Sequence, residues 1–122
     1  MNAGERQSLY QFKREERLKK RNAIGKVFKE GKVVSCSGAK LFILRNGLNY
    51  NRIAFAFSRK FGNAVQRNRA RRLGREAYRF NRNRLKTGFD LVLLVYPGKD
   101  ALSARMEQVT ILFNRAYLYR DV

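Results

Sequence analysis

Hydrophobic positions recur along this chain with two different periods, and the changes of period divide it into elements. Leu18, Ala23, Ile24, Val27 and Phe28 fall at helical spacing, which predicts a short amphipathic helix that stops at Gly31. Val33 to Cys36 and Leu41 to Arg45 read as strands separated by Ser37 and Gly38, and Asn46-Gly47 is a turn signal. Arg52 to Phe57 alternates, with Ile53, Phe55 and Phe57 on a bulky core side and Ala54 and Ala56 on a small side. Asn63 is an N-cap for a long helix running to about Arg84. Phe89 to Tyr96 is an apolar run broken by Asp90 and ended by Pro97-Gly98, a buried strand. Met106, Val109, Leu112, Phe113 and Ala116 predict a C-terminal helix capped by Ser103 or Asp100. The order α-β-β-β-α-β-α implies an α+β fold, a four-stranded mixed sheet packed with helices in a single domain over residues 1–122. Residues 1–17 are polar and basic and read as a flexible arm.

The long helix divides into two sides. At 100° per residue Val65, Ala70, Leu73, Ala77 and Phe80 share an apolar side. Arg67, Asn68, Arg71, Arg72, Arg75, Arg79 and Arg82 fill an opposite arc of about 140°, with Arg69 on the apolar flank. A solvated helix mixes charges to gain i,i+4 pairs of about 0.2–0.5 kcal/mol each; here Arg67, Arg71, Arg75 and Arg79 place like charges one turn apart. Arginine also grips phosphate through a planar fork and stacks on bases, which lysine does not. The face is built for an anion.

Composition sharpens this. The chain has 122 residues with 28 Lys and Arg against 9 Asp and Glu, a formal charge of +19. Up to Lys86 there are 24 basic and 5 acidic residues, and from Thr87 onward 4 of each, so the excess lies in the first two thirds. A body with that charge calls for a polyanion. The absence of histidine excludes imidazole acid–base catalysis, His-based triads and imidazole metal sites. Glu15 and Glu16 are adjacent, point different ways on a helix and read as solvated charges rather than a catalytic pair. The lone Cys36 reads as a small apolar residue, and no apolar run approaches the roughly 20 residues of a membrane span. A soluble, cytoplasmic protein is expected.

Among polyanions, lipid fits least, because Val65, Leu73 and Phe80 are wanted for the core rather than for a membrane. DNA recognition helices carry more base-reading side chains than this arginine face. Phosphate binding without a duplex code, and RNA with it, is favoured. Gly74 inside this helix weakens it by up to about 1 kcal/mol relative to alanine; close approach to RNA or to the sheet would account for it.

The run from Ser58 to Arg79, Ser-Arg-Lys-Phe-Gly-Asn-Ala-Val-Gln-Arg-Asn-Arg-Ala-Arg-Arg-Leu-Gly-Arg-Glu-Ala-Tyr-Arg, resembles the signature of the bacterial ribonuclease P protein subunit. Leu18-Lys19-Lys20 with Val27-Phe28-Lys29-Glu30-Gly31, and Asp90-Leu91-Val92 with Pro97-Gly98, resemble that family's first helix and last strand, so nearly the whole chain is covered in order. The segment Lys32 to Lys40 aligns poorly, and no residue is carried over from it. The resemblance implies a ribosomal-protein-like two-layer fold with a left-handed β-α-β crossover. It implies a protein cofactor of ribonuclease P, an endoribonuclease whose RNA subunit, with Mg2+ bound mainly by RNA, removes the 5′ leader of precursor tRNA. The isolated chain is then inactive, with ribonuclease P RNA and precursor tRNA as partners, and neither DNA, membrane nor an obligate protein partner is expected. Carried over by position, Arg59, Lys60, Arg67, Asn68, Arg69, Arg71, Arg72, Arg75 and Arg79 contact the RNA subunit. Ile24, Phe28, Ala54, Ala56 and Ser58 form the leader cleft, with Ile24 standing where the family commonly has an aromatic residue. Asn68, set among arginines, is expected to accept from a neighbouring arginine or, as the resemblance implies, to help position a hydrated metal ion at the protein–RNA junction. The alternative is a ribosome-associated structural RNA-binding protein, which accounts for the charge but not for the signature run.

Overall fold

A computed structural model describes residues 14–98 and 100–120; most of the expected basic arm, residues 1–13, lies outside the described residues. Helix α1 (Arg21–Glu30) leads into strands β1 (Lys32–Cys36), β2 (Ala39–Arg45) and β3 (Arg52–Phe57). Helix α2 (Ala64–Asn81) crosses to β4 (Phe89–Val95), and α3 (Leu102–Arg115) closes the order. The seven elements stand in the expected sequence. The sheet runs β1-β2-β4-β3. β1 pairs β2 and β2 pairs β4 antiparallel, whereas β3 pairs β4 in parallel. Gly38, at φ +85°, makes the tight β1–β2 turn that an L side chain rarely follows.

β4 is central and packs on both faces. Leu91, Leu93 and Val95 join Leu41, Ile53, Tyr78, Val109, Leu112 and Phe113 in the larger core, beneath α2 and α3. Val92 turns to the opposite face and meets Leu18 and Val27, with Phe42, Ala54 and Ala56 alongside. The larger core and its two helices form the two-layer body, and α1 covers part of the other face. Cys36 packs beside the larger core as a small apolar residue. Asp90, the polar break in the apolar run, is buried and satisfied: its carboxylate accepts from Arg52 Nε at 2.8 Å and Nη2 at 2.7 Å, and from Asn46 Nδ2 at 3.0 Å. Such a forked, charge-assisted contact makes a buried carboxylate tolerable.

Four sequence expectations need correction. Glu16 is not a solvated charge: it is buried and its carboxylate lies 2.8 Å from Arg82 Nε. With it the end of the expected arm is fixed, because Arg14–Glu16 form a 3-10 turn and Arg17 bridges Ile53 on the free edge of β3. Neither Ser103 nor Asp100 caps α3; Ala101 occupies that position without a side-chain bond, and Asp100 instead accepts from the buried Arg105. The long helix ends at Asn81, and its last expected residues tighten into a 3-10 turn, Arg82–Arg84.

The fourth correction concerns the roll of α2. Val65 and Phe80 are 77% and 58% exposed, and the buried positions are Ala70, Gly74, Ala77, Tyr78 and Asn81. The apolar side therefore lies several tens of degrees from where the large residues place it, and the argument against lipid from Val65 and Phe80 falls with it. Small residues let the helix come close: a Cβ at Gly74 would stand 2.7 Å from the Phe55 ring. Gly74 is thus explained by the sheet. Gly74→Ala should lower stability by about 1–2 kcal/mol, because a ring held between helix and strand must shift. Urea unfolding tests this, and a gain of up to about 1 kcal/mol, the helix-propensity effect alone, would contradict it.

Candidate nucleic-acid interface

The arginine helix starts where its sequence says it should. Asn63 Oδ1 accepts from Gln66 N and Gln66 Oε1 accepts from Asn63 N, both at 2.9 Å, forming a reciprocal cap. One turn on, Arg67 donates to the carbonyls of Gly62 (3.0 Å), Ser58 (3.4 Å) and Arg59 (3.3 Å). It thereby braces the loop that follows β3, on which Arg59 and Lys60 stand exposed. Asn68 Oδ1 accepts from Arg71 Nη1 at 2.8 Å. Arg69 leaves the face and reaches Asp100, with Nε 3.5 Å from the carboxylate. Arg72 is exposed, and Arg79 pairs with Glu76 at 3.0 Å.

A groove of about 210 Å³ opens along the free edge of β3. Leu18 N donates to Ile53 O at 3.0 Å, so the segment before α1 lies along that edge. The floor is Leu18, Ile24, Ile53, Ala54 and Phe55; the rim is Arg17, Lys19, Arg71 and Arg75. Burial, and after it the charges of Arg17 and Arg71, push the Arg75 guanidinium below its ordinary value. Among the described residues Arg75 Nε is buried without a hydrogen-bond partner. A desolvated donor ringed by like charges is costly in the free protein and suits an anion. Arg71 also lies over the Phe57 ring at 5.4 Å, and Phe57 meets Phe61 at 4.8 Å.

The structure thus joins Ile24 and Ala54, expected in one site, to Arg71 and Arg75, expected in another. Phe28, Ala56 and Ser58 do not line the groove. Phe28 is 38% exposed with its edge on Phe42 at 4.8 Å, Ala56 packs beside Val92, and Ser58 Oγ is buried without a partner among the described residues. Sequence reasoning missed Arg17 and Lys19, and it assigned Ile53 and Phe55 to the core alone. Only the pairing of the Arg17–Leu18 segment with β3 brings the first two to the groove. Asn68 Oδ1 accepts from Arg71 and the helical neighbours of Asn68 are cationic, so its observed role is to hold Arg71. Among the described residues no three His, Cys, Asp or Glu side chains cluster, and no helix is long and apolar enough to cross a membrane.

Fold and groove together define a basic α+β protein with an arginine helix and a cation-rimmed groove at the free edge of its sheet. Residues 12–117 match the ribonuclease P family. The chain is 44% identical over 85 residues to the ribonuclease P protein component of Natranaerobius thermophilus, covering 70% of this chain and 74% of that one. It is 39% identical over 106 residues to the protein component of Pelotomaculum thermopropionicum, covering 85% and 95%. The solved RNase P protein of Thermotoga maritima, in complex with 1-(4-fluorophenyl)-2-thiourea, superimposes with a TM-score of 0.72 at 32% identity, over 81% of this chain and 98% of that one. The chain belongs to the ribonuclease P protein family, and with that membership goes a role in tRNA processing.

Changing Arg71 and Arg75 together to alanine should flatten the dependence of log affinity for ribonuclease P RNA on log salt by roughly 0.7–0.9 per lost phosphate contact. Binding measured by fluorescence anisotropy over a salt series gives that slope, and an unchanged slope would remove these residues from the interface.

Proposed function

We propose that the chain is the RNA-binding cofactor of ribonuclease P, and that it holds both the catalytic RNA and the 5′ leader of precursor tRNA. The observation that carries this is the groove on β3, where an apolar floor meets an arginine rim holding a buried, unpartnered Nε. A single-stranded leader offers that combination in return: phosphates for the rim, base faces for the floor. Arg59 and Lys60 on the loop, with the outer arginines of α2, take the RNA subunit. Asn68 keeps Arg71 aimed by accepting from its Nη1.

Arg71 and Arg75 stand where the two surfaces meet, so the leader and the RNA subunit share one run of guanidiniums. Phosphate entering the groove gives Arg75 Nε its missing acceptor and relieves its repulsion with Arg17 and Arg71. Ile24 and Ala54 let bases pack closely but supply less than the roughly 1–3 kcal/mol of an aromatic stack. Phe28, edge-on to Phe42 at the rim of α1, adds an aromatic surface one turn away. The metal ions that hydrolysis needs belong in this reading to the RNA. The protein contributes affinity and alignment, and four of its own carboxylates are used within the fold: Glu16, Glu76, Asp90 and Asp100 each pair with arginine.

Cleavage of a precursor tRNA at low magnesium tests the reading, comparing the protein alone, a bacterial ribonuclease P RNA alone, and the mixture. Cleavage should rise only in the mixture, and more for a long 5′ leader than for a minimal one. Hydrolysis by RNA-free protein, or no stimulation of a well-folded RNA, would overturn it.

A further inference from the structure

Arg69 is the arginine of the signature that leaves the arginine face. Its guanidinium crosses to the segment between β4 and α3, where Nη2 donates to the main-chain oxygen of Asp100 at 3.3 Å and Nε lies 3.5 Å from the Asp100 carboxylate. An exposed ion pair of that length is weak by itself. Asp100, however, is not a mobile surface acid. Its other carboxylate oxygen accepts from Arg105 Nη2 at 2.9 Å. Arg105 is 1% exposed, and its Nη1 donates to Gln108 Oε1 at 2.6 Å. Gln108 in turn donates to Ser37 O in the β1–β2 turn at 3.1 Å. A buried guanidinium demands a counter-charge, and Arg105 therefore fixes where Asp100 stands.

We infer that Asp100 is a positioning residue for RNA binding: anchored by buried Arg105, it holds Arg69 in the orientation in which that side chain meets RNA phosphate. The inference rests on the reading of α2 as the RNA-docking helix. A guanidinium has five N–H donors; the Asp100 main-chain oxygen accepts one from Nη2, and the Asp100 carboxylate stands 3.5 Å from Nε as a charge contact. Both hydrogens on Nη1 and the second on Nη2 are left for phosphate. A long side chain held by a hydrogen bond and an ion pair loses less conformational freedom when its ligand arrives. The chain Ser37–Gln108–Arg105–Asp100–Arg69 also ties the docking helix to the far hairpin through α3, so the orientation belongs to the fold and not to one rotamer.

The sign of the effect makes this testable. Removing Asp100 raises the net charge, and electrostatics alone would tighten binding to RNA. Positioning predicts the reverse. Affinity for ribonuclease P RNA should fall about three- to tenfold in Asp100→Asn, in the lower part of the range for a coupling between contacting residues. Because Asp100→Asn leaves Arg105 buried without its counter-ion, the double variant Asp100→Asn with Arg105→Met is measured beside it, and circular dichroism checks folding. It should show the same loss. In an Arg69→Ala background, Asp100→Asn should cause no further loss. If Arg69→Ala weakens binding but neither Asp100 variant does, or if they tighten it, the positioning role is wrong and the docking reading stands. If Arg69→Ala and the paired Arg71 and Arg75 changes all leave affinity and salt slope unaltered, the docking reading itself fails.

Discussion

Gly74 lies against the Phe55 ring with no room for a methyl group between them, and this contact sets the roll of the arginine helix. Ala70 and Ala77, one turn to either side, extend the close approach. With that side against the sheet, Arg71 and Arg75 arrive at the edge of β3 beside Ala54 instead of projecting into solvent. A helix seated on Val65, Leu73 and Phe80 would have carried the same arginines away from that edge. The groove is thus a consequence of small residues on α2 and of small residues on one side of β3.

Electrostatics then separates structural arginines from receptive ones. Arg52, Arg82 and Arg105 are bound to Asp90, Glu16 and Asp100 at 2.7–2.9 Å and hold the sheet edge, the N-terminal turn and the α3 segment in place. Arg67 is turned onto main-chain carbonyls and organises the loop before α2. Arg71 and Arg75 make no ion pair among the described residues, and Arg75 holds a desolvated donor. This arrangement is unfavourable in the free protein, and on the proposed reading a phosphate would relieve it.

Much of the fold was legible because its signals are local. The alternation in Arg52 to Phe57, the Ser37-Gly38 and Asn46-Gly47 turns and the Asn63 cap each act within a few residues, and the elements follow them. The roll of α2 was not legible, because hydrophobic patterning weights Val65 and Phe80 heavily and counts glycine and alanine for little. Glu16 and Asp100 were misread for a related reason: their partners, Arg82 and Arg105, come into reach only once the chain is folded. The signature run identified the helix and the family, but it could not show that Arg71 and Arg75 share a groove with Ile24 and Ala54. That depends on how three segments meet at one sheet edge.

The central claim is that phosphate completes the groove by giving Arg75 Nε an acceptor. Arginine Nε–H resonances of the labelled protein, followed as a single-stranded RNA the length of a tRNA leader is added, address it directly. The Arg75 signal should move downfield and saturate with binding, whereas that of Arg105, whose Nε is equally buried and unpartnered but remote from the groove, should stay in place. RNA binding that leaves the Arg75 resonance unmoved would contradict the account.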